Sequence, residues 1–462
     1  MAVRFACSFC TWGSNIGTKM AAFPLDRLRA EVAWIAKNQI EFVYMGDSNW
    51  GMLPQDSKVA DMLGEAKSRW GYPKRVLANA PKNSSVKVFD LFDKLKTVGL
   101  QKAVTLSMQS WNPETLVSIK RSNIKSKTYE ELQTLSKRRD IATYSELILA
   151  LPGETLQSFC DGIDKSIDGG ARDGLLVYLC RVLPGSEMDS DVYRALHGIE
   201  TVRLPIQANH GGLDAATIGP TEFEETVVAT KTMPHADWLE AQRIAWFVEV
   251  FFVLGIARLP LLWLREQGVK VTEFARWALD EMRDATMMES DPMYQWLRNE
   301  VLRLDEYLER QDAGTPDFHF SERATFGAIR WPIDEASWLA LMSNKDEARK
   351  ELMTLFDAYI DTHFAVDERD TAAVCIQSEI DRGFYLLKHW TTDDEHKTPA
   401  EAPFAGATPA KPLGFRKRVG YSAAPRTRLG SDSVSGCVTA PAASRQDAPF
   451  VAACSSVARI AS

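Results

Sequence analysis

Cysteine and histidine are scarce in this chain of 462 residues: there are seven of each, irregularly spaced, and His197 is the first histidine. Few cysteines and no signal peptide at the start argue against a secreted disulfide scaffold. They lead to the expectation of a cytoplasmic protein whose thiols are reduced or bound to metal. The ordered part also lacks a dense basic stripe. With a net charge of −8 the chain has no electrostatic footprint for duplex nucleic acid, and no nucleic-acid partner is expected. An uninterrupted membrane-spanning run is missing too. Ala245 to Leu264 has the length, but it carries Glu249, Arg258 and Pro260, so it reads as two buried helices meeting near Gly255 to Pro260, with no membrane partner. Apolar residues at 45% and charged residues at 25% exclude a collagenous, coiled-coil or wholly disordered chain. At roughly 150 residues per domain, the length leaves room for two or three domains.

From about Ala22 to Met188, helical periodicity alternates with short aliphatic runs at the repeat expected of βα units. Strands are predicted at Ile40 to Met45, Arg75 to Ala80, Ala103 to Met108, Tyr144 to Ala150 and Leu175 to Cys180. Helices are predicted between them, including Val86 to Thr97 and Leu156 to Ile167. Right-handed crossovers of this kind build an open doubly wound sheet or a barrel, and the pattern alone does not choose. After Leu183-Pro184-Gly185 the strand signal fades. From about Thr230 to Trp390 the pattern is helical, with Leu297, Val301, Leu304 and Leu308 forming one stripe. Beyond Lys397 the composition turns to Ala, Pro, Ser and Gly, with too few large apolar residues to offset the entropy of ordering.

The chemistry is densest at the start, in Val3-Arg4-Phe5-Ala6-Cys7-Ser8-Phe9-Cys10-Thr11-Trp12-Gly13. Two cysteines separated by two residues can direct both sulfurs to one side and chelate a metal. Structural zinc would need further ligands, and the next cysteine is Cys160. A thioredoxin-like dithiol would follow a strand, and none is predicted ahead of Cys7. Three other segments accompany the pair. Met45-Gly46-Asp47 closes the first predicted strand, where Asp47 alternatively caps backbone amides of a turn. Ser107 and Gln109 in Leu106-Ser107-Met108-Gln109-Ser110 share one face of a strand, where they bind a ligand or satisfy backbone groups. Glu146 begins the run Glu146 to Thr155, whose Ala150-Leu151-Pro152-Gly153-Glu154-Thr155 turn places Glu154 in the first turn of a helix.

In this order and spacing, Arg4 to Met188 resembles the core of radical S-adenosylmethionine (SAM) enzymes, a partial (β/α)6 barrel. In that family three cysteines of a Cys-x3-Cys-x-aromatic-Cys loop bind a 4Fe-4S cluster whose open iron takes SAM. Cys7, Phe9 and Cys10 match the second cysteine, the aromatic and the third cysteine, and Val3 stands at the first. Gly46 and Asp47 match the segment that binds the methionyl amino group. Glu146 matches a strand position that positions SAM, Ser107 and Gln109 stand where the ribose or substrate would be hydrogen-bonded, and Leu151 to Thr155 matches the family's Gly-Leu-Pro-Gly-Glu-Thr turn with Ala150 in place of its first glycine. The Asp47 to Pro54 and Lys120 to Ile124 runs resemble the subset that usually carries a cobalamin-binding domain. Cobalamin and methyl transfer are implied by that kinship alone.

The resemblance implies a cluster that reduces SAM to a 5′-deoxyadenosyl radical, a small-molecule or peptide substrate, and a flavodoxin- or ferredoxin-type electron donor. The expected architecture is α/β: a partial TIM-type radical SAM barrel lacking strand one over 1–195, a connector over 196–229, an all-α domain over 230–395 and a disordered tail over 396–462. Strand one and the first cysteine are missing together, which leads to the expectation of a truncated or misassigned N-terminus. The competing readings are a non-catalytic barrel that has lost the cluster, for which Val3 is the deciding residue, and a zinc or dithiol protein using Cys7 and Cys10.

Overall fold

The computed structural model describes residues 7–11, 22–47, 49–82, 84–101, 103–171, 174–206, 222–283, 294–314 and 331–387. The chain forms two compact units, the first within 1–203 and 224–241, the second within 204–223 and 242–462. Val3 and the tail fall outside the described residues.

The first unit alternates strands and helices as the periodicity predicts. Helix α1 (Leu25–Lys37) leads to β1 (Phe42–Tyr44), α2 (Asp56–Trp70) to β2 (Arg75–Leu77), and α3 (Val86–Thr97) to β3 (Ala103–Gln109). Then follow α4 (Pro113–Ser118), α5 (Ser126–Arg138), β4 (Ala142–Leu149), α6 (Leu156–Asp168) and β5 (Leu175–Leu179). β1 pairs with β2, and β3, β4 and β5 pair in that order, all parallel. The chain leading into β3 runs beside β2: Val76 N donates to Leu100 O at 2.8 Å, and Gln101 Nε2 to Ala78 O at 3.2 Å. Parallel strands with helical crossovers are covered on both faces, which is why most of β4 is buried. Only Glu146 and Ile148, two residues apart on one face of β4, keep partial exposure.

Helix α6 starts where Thr155 and Ser158 form a capping box, the Thr155 hydroxyl accepting from Ser158 N at 3.0 Å. It buries Phe159, Ile163 and Ile167, each contributing about 1.5–3 kcal/mol as apolar surface leaves water. Glu154 precedes this cap rather than entering the first helical turn, so its expected dipole role is not what the fold uses.

The strand signal does not end at Leu183. β6 (Arg181–Val182), β7 (Glu200–Pro205) and β8 (Phe223–Ala229) form a small sheet in the order β6-β8-β7, with α7 (Asp191–His197) between β6 and β7. Most of β7 is exposed or half-buried, so it lacks the apolar run that marks a covered strand.

The second unit is helical. The end of α8 (His235–Phe247) passes into a π-helical segment (Val248–Val253), followed by α9 (Arg258–Glu266), α10 (Val271–Arg283), α11 (Gln295–Asp312), α12 (Ile333–Ser343), α13 (Lys345–His363) and α14 (Val366–Leu387). No single helix among the described residues is long and apolar enough to cross a membrane. The pair His235–Val253 and Arg258–Glu266 has the composition but is bent by 103°. The break falls at Gly255, whose φ of +95° suits glycine, while Pro260 sits in the first turn of α9, where its missing N–H costs nothing. Every residue from Val248 to Val253 is buried. Leu297, Val301, Leu304 and Leu308 line the buried side of α11, as their spacing predicts. Phe274 stacks on Phe356 with ring centroids 4.6 Å apart and meets Tyr359 edge-on at 4.9 Å.

Candidate active site at the ends of the parallel strands

A β-bulge organises the site. Ser107 of β3 lies opposite Glu146 of β4, and the register shifts before Gln109, which lies opposite Leu147 instead of Ile148. Gln109 takes a φ of +63° at this irregularity. The shift draws two consecutive same-face residues onto one carboxylate: Ser107 Oγ donates to Glu146 Oε2, and Gln109 Nε2 lies 3.5 Å from the same oxygen. Burial raises the Glu146 carboxyl above the usual carboxylate range, opposed by Ser107, Arg121 and Gln109. Gln109 Oε1 is buried with no hydrogen-bond partner, an acceptor left for a donor the protein does not supply.

Arg121, just after α4, joins this carboxylate to the cysteines. Its guanidinium donates to Ser107 O and, through Nε, to Asn123 Oδ1 at 2.8 Å. It also hydrogen-bonds Cys7 and interacts electrostatically with Glu146 and Cys10. Burial lowers its pKa, with Cys7 the main opposing influence. Lys82, in the loop after β2, is likewise lowered by burial and lies in the field of Cys7 and Arg121. Cys7 to Cys10 form a turn in which Cys10 N donates to Cys7 O at 3.1 Å, and Cys7 is buried. Asn123 fixes the loop after β3, donating to Met108 O at 2.6 Å and Ser110 O at 2.8 Å.

The structure therefore brings together Cys7, Cys10, Ser107, Gln109 and Glu146 of the residues singled out in the sequence. Asp47 does what its turn-capping alternative predicts: its Oδ1 accepts from Asn49 N at 2.9 Å, and it raises the pKa of Asp56 through repulsion secondary to burial. Among the described contacts none joins Asp47, Gly46 or Phe9 to the Glu146 group. Arg121 was legible only as part of the Lys120 to Ile124 run, because nothing local signals that its side chain turns back to β3. Glu154 is 1% exposed and knits two loops: Ser110 Oγ and Ser158 Oγ both donate to it, while Asn112 Nδ2 donates to Gly153 O at 3.1 Å. Burial raises its pKa. Gly153, at φ +90°, leaves room that a Cβ would fill 3.2 Å from Thr115 Cα.

This chain is 31% identical over 357 residues to the cobalamin-dependent radical SAM methyltransferase TokK of Streptomyces tokunonensis, covering 75% of this chain and 51% of TokK. It is 29% identical over 359 residues to the 2-(S-pantetheinyl)-carbapenam-3-carboxylate methyltransferase of Streptantibioticus cattleyicolor, with the same coverage of 75% and 51%. Its relatives thus include a cobalamin-dependent radical SAM methyltransferase. The chain spans about half the length of these curated relatives. Among solved structures, the radical SAM methyltransferase TsrM from Kitasatospora setae, in a complex with tryptophan and a SAM analogue, is 16% identical with a TM-score of 0.40, covering 53% of this chain and 50% of TsrM. No family model matches the sequence.

In this radical SAM homologue the residues fit the implied groups unequally. The unpartnered Gln109 acceptor beside Ser107, Glu146 and Arg121 suits a ligand bearing hydroxyl or amino donors and a carboxylate. For a 4Fe-4S cluster, the described residues supply two thiols, Cys7 and Cys10. They contain no group of three His, Cys, Asp or Glu arranged to hold a metal ion. The third thiolate of the family's loop has no counterpart among them.

Proposed function

We propose that this chain acts as a cobalamin-dependent radical SAM methyltransferase whose α/β unit is a partial (β/α)6 barrel. Cys7 and Cys10 hold iron, and SAM sits against Ser107, Gln109 and Glu146. The observation that carries this reading is the single polar group formed by Cys7, Arg121, Ser107, Gln109 and Glu146 at the ends of parallel strands, where loops after successive strands gather. A cluster held by Cys7 and Cys10 would supply an electron to SAM, and cobalamin, implied by kinship alone, would supply methyl-carrying chemistry. The protein's own residues bind and orient. Glu146 accepts hydrogen bonds from SAM hydroxyls or its amino group, Gln109 Oε1 gains the donor it lacks, and Arg121 faces the SAM carboxylate. Phe9, Gly46 and Asp47 line the cysteine-loop and first-strand sides, and Asp47, whose Oδ1 accepts from Asn49 N, offers its second carboxylate oxygen to SAM. The substrate is a small molecule or peptide, and reduction comes from a flavodoxin- or ferredoxin-type donor in a reducing cytoplasm.

The test is anaerobic reconstitution with iron and sulfide, followed by iron content per chain and SAM binding by equilibrium dialysis. Removing both Cys7 and Cys10 by substitution to alanine should abolish iron uptake. Val3→Cys should raise uptake above that of the parent chain, because it restores the ligand position the family's spacing demands. Glu146→Gln should weaken SAM binding by roughly tenfold, the loss of a charge-assisted hydrogen bond. Iron uptake that survives loss of both cysteines overturns the proposal. Absence of uptake in every form favours a barrel that has lost its cluster.

A further inference from the structure

We propose that Tyr193 is a positioning residue that latches the cysteine loop, so that α7 sets where Cys7 and Cys10 stand relative to Arg121. The latch acts on Ser8, the first of the two residues between the thiols. Ser8 is fully buried, and all three of its polar groups are engaged by segments distant in sequence. Its N–H donates to Ile119 O at 3.1 Å, its carbonyl accepts from Met188 N at 2.9 Å, and its hydroxyl lies 2.9 Å from the Tyr193 hydroxyl.

The direction of the last bond follows from proton counting. Tyr193 carries one hydroxyl hydrogen and gives it to Ser118 O, at 2.9 Å, because a carbonyl can only accept. Ser8 must therefore donate to Tyr193, making a directed chain from Ser8 through Tyr193 to Ser118. Burial raises the Tyr193 phenol pKa, which keeps it a donor.

The receiving end explains why such a latch is available. α4 has six residues, and the last four carbonyls of any helix lack intrahelical partners. Tyr193 takes the carbonyl of Ser118 and Ser8 N–H takes that of Ile119. The next residue, Lys120, turns at φ +54° and pairs with Glu187 at 2.5 Å, one residue before Met188. Arg121, the partner of Cys7, follows directly. The end of α4 thus fixes the cysteine loop and Arg121 together, and Tyr193 closes this arrangement from α7. Ser190 caps α7 through Tyr193 N at 3.3 Å, and the Tyr193 ring packs on His197 at 4.4 Å, so the latch side chain is itself held.

The functional weight of the latch rests on Cys7 and Cys10 being metal ligands, but its geometry can be read without metal. The test is the alkylation rate of each cysteine by iodoacetamide in the metal-free full-length chain, resolved by mass spectrometry. Tyr193→Phe keeps the ring and deletes the hydroxyl. It should raise the rates at Cys7 and Cys10 by about fivefold, the opening expected from one buried hydrogen bond. Ser8→Ala should give a similar rise, and the double variant should add little because both break the same chain. Buried Cys160, on α6, serves as the internal reference and should not change. Tyr129→Phe removes another buried tyrosine hydroxyl, the one bonded to Ser145, and should leave both rates at parental values. Parental rates in Tyr193→Phe overturn the latch, as does an equal rise in Tyr129→Phe. After reconstitution, Tyr193→Phe should hold less iron than the parent. A parent that takes no iron, with thiol rates that still rise in Tyr193→Phe, removes the metal reading and leaves the latch standing.

Discussion

In the α/β unit the half-buried Glu146 and the buried Glu154 are met by hydroxyls, amides and one guanidinium on strands and the loops that follow them. In the helical unit the buried Glu351 and the half-buried Asp305 join helix to helix. Glu351 of α13 accepts from Trp296 N at 3.0 Å and Leu297 N at 2.8 Å, satisfying the first turn of α11, and Asp305 of α11 is shared by Arg243 and Arg283 at 2.8 and 2.9 Å. Every partner in the helical group is structural, whereas the strand-end group contains an acceptor with no partner, Gln109 Oε1, beside two thiols. Buried polar atoms without a partner occur in both units, Gln242 Nε2 and Gln311 Oε1 among them in the helical one, so what marks the strand-end group as a binding site is that its open acceptor stands together with a carboxylate, a guanidinium and two thiols.

The comparison is tested most strongly by Phe274→Ala. Phe274 is 1% exposed among Phe247, Phe356 and Tyr359, and its loss should cost about 3–5 kcal/mol in denaturant unfolding of the helical unit. Iron uptake by the α/β unit should persist in conditions where the variant stays folded. Glu351→Ala should cost about 1–3 kcal/mol by stranding two buried N–H groups of α11, and Glu351→Gln, which keeps one acceptor, should recover part of it. A fall in iron uptake without a fall in stability, in either variant, would break the division of roles.

Smaller effects are expected in the α/β unit. Ala150 sits at φ +65°, the left-handed region, where the family's turn has glycine. Ala150→Gly should stabilise by roughly 0.5 kcal/mol, relief of a left-handed penalty of ~1–2 kcal/mol less the greater chain entropy of glycine, ~0.5–1 kcal/mol. Thermal unfolding of parent and variant checks the sign. Glu154→Gln should change stability least at acidic pH and alter its pH dependence. The folded-state pKa of Glu154 is raised by burial, so its protonated form is the one the fold favours. Its contribution is fully present below the unfolded carboxyl value and is lost as pH rises through the higher folded value. Parent and Glu154→Gln should therefore diverge in stability as pH rises through that window, with the parent losing more. Parallel pH profiles would show that Glu154 is not titrating in the fold.

Much of the α/β unit was readable because strands buried on both faces are written as short aliphatic runs. Ala103 to Met108 and Tyr144 to Ala150 fall within a residue or two of β3 and β4, and Val86 to Thr97 coincides with α3. The sheet of β6, β7 and β8 was not, since the half-exposed Glu200 to Pro205 carries a weak alternation. Within Ala245 to Leu264 the break was foreseen, but Gly255 makes it and Pro260 does not.

The sequence by itself determined the residue types of the site, the two thiols held in one tight turn, and the order of the βα units that carries Ser107, Gln109 and Glu146 to strand ends. Spacing and covalent connection decide these things locally. Only the tertiary structure decided that a bulge after Ser107 turns Gln109 onto Glu146, that Arg121 reaches back to Cys7, and that Ser8 hangs from Tyr193, 185 residues away. Those contacts depend on how α4, α7 and the strand ends pack. A side chain's partner across such a distance is set by the shape of the assembled unit, which no local pattern records.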